Sequence, residues 1–451
     1  MHIVMFTDAY WPRVNGVTVS VESFSHALIG LGHEVMIICP FYPESSVVGR
    51  ISAAGRPHTG DEKEPLIIRV PSIPLIISKE DRIAKFHKWF WVSKQIEQFN
   101  PDIIHINTEF VIAEFGFHYA WLHSLPAVYT FHTLWEDYVA NYIPLIPTFL
   151  LRFITWVVTK SLLQRPQAII APTLQIQELI KKYRVKQNLY LLPTGIDSRL
   201  FNCDPVEVSR FRELFIQKYP KLAHKRILLF AGRIAKEKNI DFLLALAPRI
   251  IEKHPEAAFL LVGNGPDLYY YEEECARLGI ADHCIFTGYL HREDLALTYR
   301  VSDIFVFPSL TETQGLVTIE AMVSGIPVVA IGAMGTLMVM NGNNGGFMVK
   351  NDPDEFMQRV FELLEDQALY ERKAAEAKRY AQGWSIDALA LKLEIIYRDT
   401  LTVFSQQPRT KYYAKASAYL KRLKNEKKPK SKTAGEVSLV KPVRKTGRIY
   451  P

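Results

Sequence analysis

Short apolar runs alternate with helical patterns along most of this chain of 451 residues. The strand-like runs of the first half cover residues 3–6, 35–39, 103–106, 127–131, 168–171 and 189–192. Those of the second half cover residues 227–230, 258–262, 285–286, 304–307 and 328–331. Such alternation is typical of parallel sheets whose strands are joined by crossover helices. Because one hydrophobic core rarely serves so long a chain, the sequence predicts two doubly wound α/β domains that face each other across a cleft.

The domain boundaries follow from where these patterns stop. Residues 193–220 form the longest stretch without strand periodicity and are interpreted as the junction. The prediction is a first domain over residues 1–195, a second over residues 196–384, a last helix over residues 385–405 and a basic tail over residues 406–451. In open α/β sheets ligands bind beyond the carboxyl ends of the strands, so functional residues are expected in the loops that follow the strands.

Composition indicates a folded soluble protein, with 48% hydrophobic and 22% charged residues. The four cysteines have no Cys-x-x-Cys spacing, which argues against a disulfide framework or a zinc site. The first residues lack the basic start of a signal peptide, and the most apolar segment, residues 143–163, is interrupted by Arg152 and Lys160. We therefore expect a cytoplasmic protein without a bilayer-spanning helix.

The net charge of +7 is unevenly distributed along the chain. Residues 406–451 hold 14 lysines and arginines and two glutamates, a net charge of +12, so the remainder carries −5. A basic tail suits anionic lipid or nucleic acid, and residues 412–423 are compatible with a basic amphipathic helix. A solvated, disordered end is the simpler alternative.

Two carboxylates, Glu312 and Glu320, flank a predicted strand-to-helix turn. The apolar run at residues 304–307 ends at Pro308, and Gly315 opens a helical segment. Free amides at a helix start bind phosphate, and carboxylates accept hydrogen bonds from sugar hydroxyls. The turn is therefore a candidate site for the phosphate, ribose and hexose of a nucleotide sugar. The alternative is a helix whose positive end is stabilised by nearby acidic residues.

Basic and glycine residues follow the first two strands of the second half. Arg233 comes soon after the run at residues 227–230, and Lys238 stands at the head of the next helix. Both can converge on one diphosphate and neutralise the charge of a leaving group. Gly263, in Gly-Asn-Gly-Pro after the next strand, permits a sharp turn and a close backbone approach to a ligand. Taken alone, each motif is better explained by a solvated turn, but their shared position after strands favours a site.

Two residues of the first half occupy equivalent positions. Gly16 lies between the first strand and the first helix, where its backbone can approach phosphate, although the three-glycine dinucleotide motif is absent there. His132 ends the run at residues 127–131, and its polar neighbours favour a catalytic over a structural histidine. No Ser-His-Asp order, His-Glu-x-x-His motif or metal cluster is found, and Asp352 is interpreted as a helix cap. No metal and no other cofactor are expected.

Together these residues resemble the retaining glycosyltransferases of the GT-B fold, specifically the fourth family, over about residues 1–400. The most specific element is the pair Glu312 and Glu320, separated by seven residues and followed by Ala-Met and then by Gly-Ile-Pro-Val-Val at residues 325–329. The resemblance implies two facing Rossmann-like domains, of which the first binds the acceptor and the second binds the nucleotide sugar. A C-terminal helix is then expected to cross back onto the first domain.

The resemblance also implies roles for individual residues. The residues implied to bind the donor are Gly16, Arg233, Lys238, Gly263, Gln314, Gly315, Leu316 and Glu320. Those implied to act in catalysis are His132, Arg233, Lys238 and Glu312. In the family pattern Arg233 and Lys238 bind the diphosphate, Glu320 holds the ribose and Glu312 contacts the donor sugar. Such enzymes retain anomeric configuration by a front-face displacement in which a phosphate oxygen takes the acceptor proton, so no carboxylate nucleophile is needed.

Gln314 departs from the family pattern, since many members have an aromatic residue there. Together with His132-Thr-x-x-Glu-Asp-Tyr138, it is similar to the diacylglycerol glucosyltransferase branch, whose members transfer glucose from UDP-glucose to diacylglycerol at the cytoplasmic membrane face. The resemblance thus predicts retaining transfer of a hexose, glucose, from a UDP-sugar to a membrane lipid acceptor, diacylglycerol. Asp137 and Tyr138 are the candidate acceptor residues.

A membrane acceptor requires a surface that meets the bilayer. Residues 142–165 mix aromatic and aliphatic side chains with Arg152, Lys160 and other basic residues, and Trp156 lies among them. This mixture suits the membrane interface, although a buried helix with snorkelling basic residues is the alternative. With the basic tail as a second anchor, the sequence predicts reversible, peripheral attachment to an anionic membrane surface on the cytoplasmic side.

Several alternatives stay open at this level. The sequence is equally compatible with phosphatidylinositol, another glycolipid or a soluble sugar as the acceptor. It determines neither the donor hexose nor whether the donor nucleotide is UDP or GDP. A nucleotide-sugar epimerase of the same fold leaves the lipid-like features unexplained. A nucleic-acid-binding protein whose sugar site has lost its activity is a further alternative. The presence of Arg233, Lys238, Glu312 and Glu320 argues against it, so no nucleic-acid partner is expected.

Overall fold

The computed structural model describes residues 1–13, 15–43, 63–75, 82–132, 148–312 and 314–406. The strands of its first half are β1 (His2–Phe6), β2 (Glu34–Pro40), β3 (Leu66–Val70), β4 (Ser72–Pro74), β5 (Arg82–Ala84), β6 (Ile103–Ile106), β7 (Ala127–Thr130), β8 (Ala168–Ala171) and β9 (Asn188–Leu191). The helices of this half are α1 (Gly16–Gly30), α2 (Trp89–Phe99), α3 (Val111–His123), α4 (Thr148–Leu163) and α5 (Leu174–Lys182).

Seven of these described strands form a parallel sheet in the order β3-β2-β1-β6-β7-β8-β9. Its central strands are continuous apolar runs because helices cover both faces of the sheet. Successive side chains of β1 alternate between the two cores: Val4 and Phe6 pack in one, and Ile3 and Met5 pack in the other. The strand order reverses between β1 and β6, which is where ligands of such sheets bind. Strands β4 and β5 form a separate antiparallel pair.

The second half repeats this organisation. Its strands are β10 (Arg226–Ala231), β11 (Ala257–Val262), β12 (Cys284–Gly288), β13 (Ile304–Phe307), β14 (Val328–Ile331) and β15 (Gly346–Val349). Its helices are α6 (Pro205–Lys218), α7 (Ile240–Lys253), α8 (Leu268–Arg277), α9 (Arg292–Val301), α10 (Leu316–Val323), α11 (Met334–Val339), α12 (Pro353–Glu365) and α13 (Gln367–Ala381), and α14 (Ile386–Gln406) follows them. The strands form a parallel sheet in the order β12-β11-β10-β13-β14-β15.

The carboxyl ends of both sheets face the same space. In the second sheet the strand order reverses between β10 and β13, so the loops after these two strands are neighbours. Helix α11 of the second half contacts helix α5 of the first half, and each of these helices follows the carboxyl end of a strand. The regions that follow β8 and β14 are therefore neighbours across the two sheets.

The last helix crosses back onto the first domain. At the junction, the Ile196 amide donates to the Trp384 carbonyl at 3.1 Å, and the Ile386 amide donates to the Ile196 carbonyl at 2.8 Å. Leu389 and Leu393 of α14 then pack into the core formed by α1 and one face of the first sheet. The predicted fold, two Rossmann-like α/β domains with a returning C-terminal helix, is confirmed.

The predicted strands are all present, most with ends shifted by one or two residues. Strands β3 and β15 were not predicted; each lies at an edge of its sheet and is only partly buried, so it lacks the continuous buried pattern. Helix α6 occupies much of the predicted junction. Asp352 is confirmed as a helix cap, since its carboxylate accepts the amides of Asp354 and Glu355 at 2.9 Å. The basic tail prediction lies outside the described residues, and the domain boundaries stay predictions.

Candidate active site

The turn between β13 and α10 has the shape that the sequence predicts. Strand β13 is fully buried, and Gly315 precedes α10 with a φ of 72°, a left-handed conformation that favours glycine. A Cβ atom at Gly315 would lie 2.7 Å from Cγ2 of Val339 on α11. Helix α10 therefore begins at Leu316, and the partial positive charge of its amino end lies at the carboxyl edge of the second sheet.

Glu312 is held by two partners before any ligand arrives. Its Oε2 lies 2.9 Å from Nζ of Lys238, and its Oε1 accepts a hydrogen bond from the amide of Gly315 at 3.3 Å. The two charged side chains are largely buried, with exposed fractions of 17% for Lys238 and 19% for Glu312. The pair joins the loops after β10 and β13, so two residues predicted to bind one donor are in direct contact.

Glu320 lies on the second turn of α10 and is deeply buried. Burial raises the pKa of its carboxyl group, whereas the charge of Arg292 and a hydrogen bond donated by the Tyr299 hydroxyl at 3.1 Å oppose that rise. The nearby negative charge of Glu312 adds to it. Arg292, at the start of α9, was not among the predicted site residues. The one sequence feature that could have indicated a role in the site is its position after β12.

Arg233 and Lys238 lie in the loop that follows β10. Lys238 ends a 3₁₀ turn over Lys236–Lys238, whereas the guanidinium of Arg233 lies 3.5 Å from Glu237 Oε1 and is 64% exposed. The two side chains predicted to bind the diphosphate therefore differ in burial and in how firmly they are held. Lys238 is fixed by an ion pair with Glu312, and Arg233 extends from the protein surface.

Close packing against a neighbouring loop requires glycine at position 263. A Cβ atom there would lie 1.8 Å from the carbonyl oxygen of Gly232, and its φ is 139°. The Gly263 amide donates to the Gly288 carbonyl at 3.0 Å, and the Gly232 amide donates to the Val262 carbonyl at the same distance. The close approach predicted toward a ligand is thus made toward the neighbouring loop, because β10 and β11 end side by side. A donor contact by Gly263 stays a prediction.

Gln314 and Leu316 flank the turn glycine. The Gln314 side chain is partly buried, and its Oε1 atom has no hydrogen-bond partner among the described residues. Leu316, the first residue of α10, packs against the hydrophobic core of the second domain, which fixes the helix start in place. Their proposed role of presenting backbone amides to the donor sugar fits this geometry and stays a prediction.

His132 lies two residues after the end of β7, in the loop position that the sequence predicts. Burial lowers the pKa of its imidazole to about 4, so the ring is neutral at physiological pH. Its Nε2 atom is buried and has no hydrogen-bond partner in the described part of the chain. It lines a cavity with polar residues of the neighbouring strand ends, Asn107, Thr130 and His105, none of which was predicted.

Gly16 is the first residue of α1 and lies in open space, since no atom is within 4 Å of a Cβ placed there. The preceding Asn15 caps the helix by accepting the Thr18 amide at 2.8 Å. The loop before it is held by the Trp11 indole, which donates to Glu22 at 3.0 Å, and by Arg69, which donates to the Trp11 carbonyl at 2.8 Å. A ligand therefore has room beside the amino end of α1.

Asp8, in the loop after β1, is a buried carboxylate that the sequence interpretation missed. It accepts hydrogen bonds from the Thr108 hydroxyl at 2.7 Å and from the Ile112 amide at 2.8 Å, and the amides of Phe110 and Ala113 also donate to it. Asp8 thereby caps α3 from about 100 residues away. A carboxylate directly after a strand was the only available signal.

The predicted acceptor segment is described in part. Asp137 and Tyr138 lie outside the described residues, and Arg152 lies in α4 without a described side chain. Among the described side chains of α4, residues 153–163, the exposed apolar ones, hereafter the α4 face, are Phe153, Ile154, Trp156, Val157 and Val158. Phe153 is 61% exposed, and Nζ of Lys160 lies 4.6 Å from the Trp156 ring centroid. The alternative considered above, a buried helix with snorkelling basic residues, does not account for this exposed apolar face, although Leu162 and Leu163 on the same helix are buried.

A second exposed aromatic surface lies at the start of α2. Phe90 is 58% exposed, Trp91 is also exposed, and Nζ of Lys94 lies 4.8 Å from the Phe90 ring centroid. We call these three residues the α2 face. It was not predicted, although the sequence Trp-Phe-Trp followed by lysine is a signal that could have identified it.

In the part of the chain that the structure describes, no three His, Cys, Asp or Glu side chains are grouped so that they could hold a metal ion. No helix there combines the length and apolarity that crossing a bilayer requires.

Two family models match this chain, one in each half. The model "Glycosyltransferase Family 4" matches residues 14–200, and the model "Glycosyl transferases group 1" matches residues 211–383. The two matched segments correspond to the two Rossmann-like sheets and their helices. The same two-part organisation that the strand order shows is therefore found in known glycosyltransferases.

Individual proteins that are similar to this chain support the match to these family models. An alpha-monoglucosyldiacylglycerol synthase from Streptococcus pneumoniae is 32% identical over 74% of this chain and 71% of its own length. A GDP-mannose-dependent alpha-mannosyltransferase from Corynebacterium glutamicum is 26% identical over 91% of this chain and 92% of its own. The crystal structure of HepE from Anabaena in complex with UDP has a similar fold, with a TM-score of 0.65 and 16% identity over 88% of this chain and 99% of that one. The chain therefore belongs to the GT-B glycosyltransferases of the fourth family and is similar there to the diacylglycerol glucosyltransferase branch.

Proposed function

We propose that this glycosyltransferase moves glucose from UDP-glucose to diacylglycerol, with retention of configuration, at the cytoplasmic face of a membrane. The observation that carries the donor half is the Lys238–Glu312 pair beside the amino end of α10, with Glu320 on the same helix. Cationic and amide groups suit a diphosphate, and carboxylates suit the hydroxyls of ribose and hexose. The turn between β13 and α10 supplies the amides and the two carboxylates, and the neighbouring loop after β10 supplies the cationic group.

In the proposed reaction, the acceptor hydroxyl oxygen bonds to the anomeric carbon of glucose. The bond from that carbon to the β-phosphate oxygen breaks on the same face, so the configuration is retained. The hydroxyl proton passes to an oxygen of the departing phosphate, and Lys238 and Arg233 neutralise the charge that develops there. Because Glu312 already engages Lys238 and the Gly315 amide, it is suited to orienting the sugar and not to nucleophilic attack. No metal or other cofactor takes part in this proposal.

The lipid half of the proposal rests on two observations. The 32% identical relative is a synthase of a glucosyldiacylglycerol, as its name states. The α4 face and the α2 face both expose aromatic side chains next to lysines in the first domain. Aromatic and basic residues together favour the interface of an anionic bilayer, where both faces would bring the acceptor-binding domain to its lipid.

A second donor is supported by a specific relative. The mannosyltransferase from Corynebacterium glutamicum is named as dependent on GDP-mannose and matches most of this chain. Glucose and mannose differ in one hydroxyl orientation, and the same turn suits either. Phosphatidylinositol, another glycolipid or a soluble sugar is the corresponding alternative acceptor.

The transfer assay that tests this function supplies one radiolabelled donor at a time. UDP-glucose, UDP-galactose and GDP-mannose are each incubated with the full chain and diacylglycerol in mixed phospholipid vesicles, and the organic phase is counted. We expect label only from UDP-glucose, in a product whose anomeric proton shows the α configuration by NMR. Glu312→Gln should abolish the signal, whereas Glu355→Gln on the exposed first turn of α12 should not. Absence of labelled lipid with every donor contradicts the lipid proposal.

Membrane attachment is tested separately by vesicle sedimentation at low salt. Phe153→Ser with Trp156→Ser, and Phe90→Ser with Trp91→Ser, should each weaken binding to anionic vesicles several-fold. Tyr269→Ser, which removes an exposed aromatic ring from α8 of the second domain, is the matched control. Equal binding of the unaltered chain to neutral and anionic vesicles would refute the electrostatic part.

A further inference from the structure

His105, on β6, is deeply buried and has a hydroxyl partner at each ring nitrogen. Its Nδ1 lies 2.7 Å from the hydroxyl oxygen of Tyr397 on α14, and its Nε2 lies 2.7 Å from Oγ1 of Thr130 on β7. We call these three residues the hydroxyl–imidazole chain. It links the returning C-terminal helix to β7, which ends two residues before His132.

The hydroxyl–imidazole chain has a direction. Burial, together with the nearby His132, lowers the pKa of His105 to about 3, so its ring is neutral. A neutral imidazole has one N–H and one lone pair, so one hydroxyl donates to it and the other accepts from it. The phenol is the more acidic hydroxyl and the better donor. Tyr397 therefore donates to Nδ1, Nε2–H donates to Thr130 Oγ1, and the Thr130 proton is left for another acceptor.

That acceptor is available in the same cavity. Thr130, Asn107, Ser20 and His132 line one space between the first sheet and the helices α1 and α14. Thr130 ends β7, and His132, two residues later, lines the same cavity. Nε2 of His132 is buried and has no partner among the described residues. A buried nitrogen in this state is costly, and the cavity, whose lining is largely apolar apart from these polar groups, has a volume of about 10 Å³, close to the space that one bridging water needs.

We propose that the hydroxyl–imidazole chain positions His132 for the transfer reaction. Through a water in the shared cavity, the Thr130 hydroxyl donates to Nε2 of His132 and keeps the His132 proton on Nδ1. The Nδ1–H edge is then the part of the ring that serves the substrate. Tyr397, His105 and Thr130 are thus positioning residues, and one of them comes from the helix that returns from the second domain. This inference rests on the proposed function and on the catalytic role that the family resemblance implies for His132.

A purely structural role makes a different prediction. Neutral buried hydrogen bonds add little net stability, and apolar residues of the same shape fill such positions equally well. If the hydroxyl–imidazole chain only packs the core, its removal changes stability but not the state of His132. The tautomer of the His132 ring is therefore the property whose measurement decides between the two roles.

The test uses the full chain with 15N-labelled histidine and records the ring nitrogen shifts by NMR at pH 7. The resonances of His105 and His132 are assigned from the spectra of His105→Gln and His132→Gln. In the unaltered protein we expect His132 to be the Nδ1–H tautomer. Tyr397→Phe and Thr130→Val should each shift it toward a mixture of tautomers, whereas Thr130→Ser should restore the original shifts. Tyr190→Phe, beside the same core, is the matched control. Unchanged His132 shifts in both Tyr397→Phe and Thr130→Val overturn the proposal.

Steady-state kinetics of the same variants provide a second test of the proposal. Tyr397→Phe should lower kcat for glucose transfer about tenfold and leave KM for UDP-glucose within about twofold, as loss of a supporting hydrogen bond does. An unchanged kcat with a lowered melting temperature assigns a structural role and also overturns the proposal. If the unaltered protein transfers no sugar, the proposed function fails, and the tautomer measurement still decides whether His132 is positioned.

Discussion

Nζ of Lys238 lies 2.9 Å from Oε2 of Glu312, and this contact joins the loops that follow two neighbouring strands of the second sheet. Neither residue is a free charge awaiting a ligand. An ion pair that is mostly buried is costly to split, because the partner left behind is desolvated and unpaired. The donor site is therefore partly assembled by the protein itself.

The first prediction separates the stability of this pair from its function. Glu312→Gln and Lys238→Met should each lower the free energy of unfolding by about 2 kcal/mol, because each leaves a buried partner unsatisfied. The double variant Lys238→Met with Glu312→Leu should recover most of that loss and still transfer no sugar. Urea unfolding and the radiolabel assay measure the two quantities. Full activity in the stable double variant would contradict a role for the pair in donor binding.

The second prediction concerns Glu320, whose carboxylate accepts the Tyr299 hydroxyl. Glu320→Gln keeps the shape of the side chain and an acceptor for Tyr299 but changes what a ribose hydroxyl meets. We expect KM for UDP-glucose to rise about tenfold, with kcat within about threefold, because ribose binding is shared by ground and transition states. Steady-state kinetics check this. A collapse of kcat at unchanged KM would instead place Glu320 in the chemical step.

The third prediction tests the contact between the loops after β10 and β11. Gly263→Ala places a Cβ atom 1.8 Å from the Gly232 carbonyl and should destabilise the protein by at least about 3 kcal/mol or prevent folding. Gly279→Ala also requires a left-handed residue but meets no atom within 4 Å, so it should cost only about 1 kcal/mol. Thermal melting of both variants gives the comparison. Equal losses would mean that backbone strain alone, without the clash, explains Gly263.

The fourth prediction is a pH dependence of stability. Burial holds the pKa of His105 at about 3, below its ordinary value of 6.5. As pH falls below 6.5, the unfolded chain binds a proton at this residue and the folded protein does not, so stability is lost. Between pH 7 and pH 5.5 this loss is about 1 kcal/mol for one histidine. Urea unfolding at the two pH values should show His105→Gln losing about 1 kcal/mol less than the unaltered protein.

The comparison between variants matters because other groups titrate as well. Burial lowers the pKa of His132 in the same sense, whereas it raises those of the Asp8 and Glu320 carboxyls, which stabilise the folded state as pH falls. These contributions are common to both proteins and cancel in the difference. An identical pH dependence in both would show that His105 is protonated in the folded state.

The fifth prediction concerns the cap that Asp8 provides for α3. Asp8→Asn replaces one carboxylate oxygen by an amide nitrogen that faces backbone N–H groups, and it should cost about 2 kcal/mol of stability. Asp204→Asn, at the exposed cap of α6, should change stability by less than about 0.5 kcal/mol, since both residues cap helices well. Urea unfolding checks both. A loss of similar size at the two caps would contradict the special role of burial at Asp8.

Much of the fold was predictable because strand and helix patterns are local. Buried parallel strands such as β6, β8 and β14 have the predicted bounds, since an apolar run of β-branched residues fits a strand covered on both faces. Of the four described edge strands of the two parallel sheets, β9 and β12 were predicted, whereas the partly buried β3 and β15 were not. The turn at Gly315 was also predictable, because a glycine between a strand and a helix is a local requirement.

The parts of the site that were missed depend on distant residues. Asp8 caps a helix 104 residues away, and Tyr397 reaches a histidine 292 residues away. The close approach of Gly263 to the Gly232 carbonyl was not predicted, and its predicted contact with the donor stays a prediction. No periodicity connects such residues, because their proximity follows from the order of strands in the sheets.

The sequence by itself determined the two α/β domains, the strand-to-helix turn with its two glutamates, and the residues after strands that resemble a sugar-nucleotide site. The tertiary structure alone decided that Glu312 is paired with Lys238, that His132 shares a cavity with the hydroxyl–imidazole chain, and that α4 exposes its apolar face. Local patterns act through backbone preference and burial, which neighbours in sequence share. Partners of charged and polar groups are chosen by sheet order and helix packing, which bring together residues far apart in the chain.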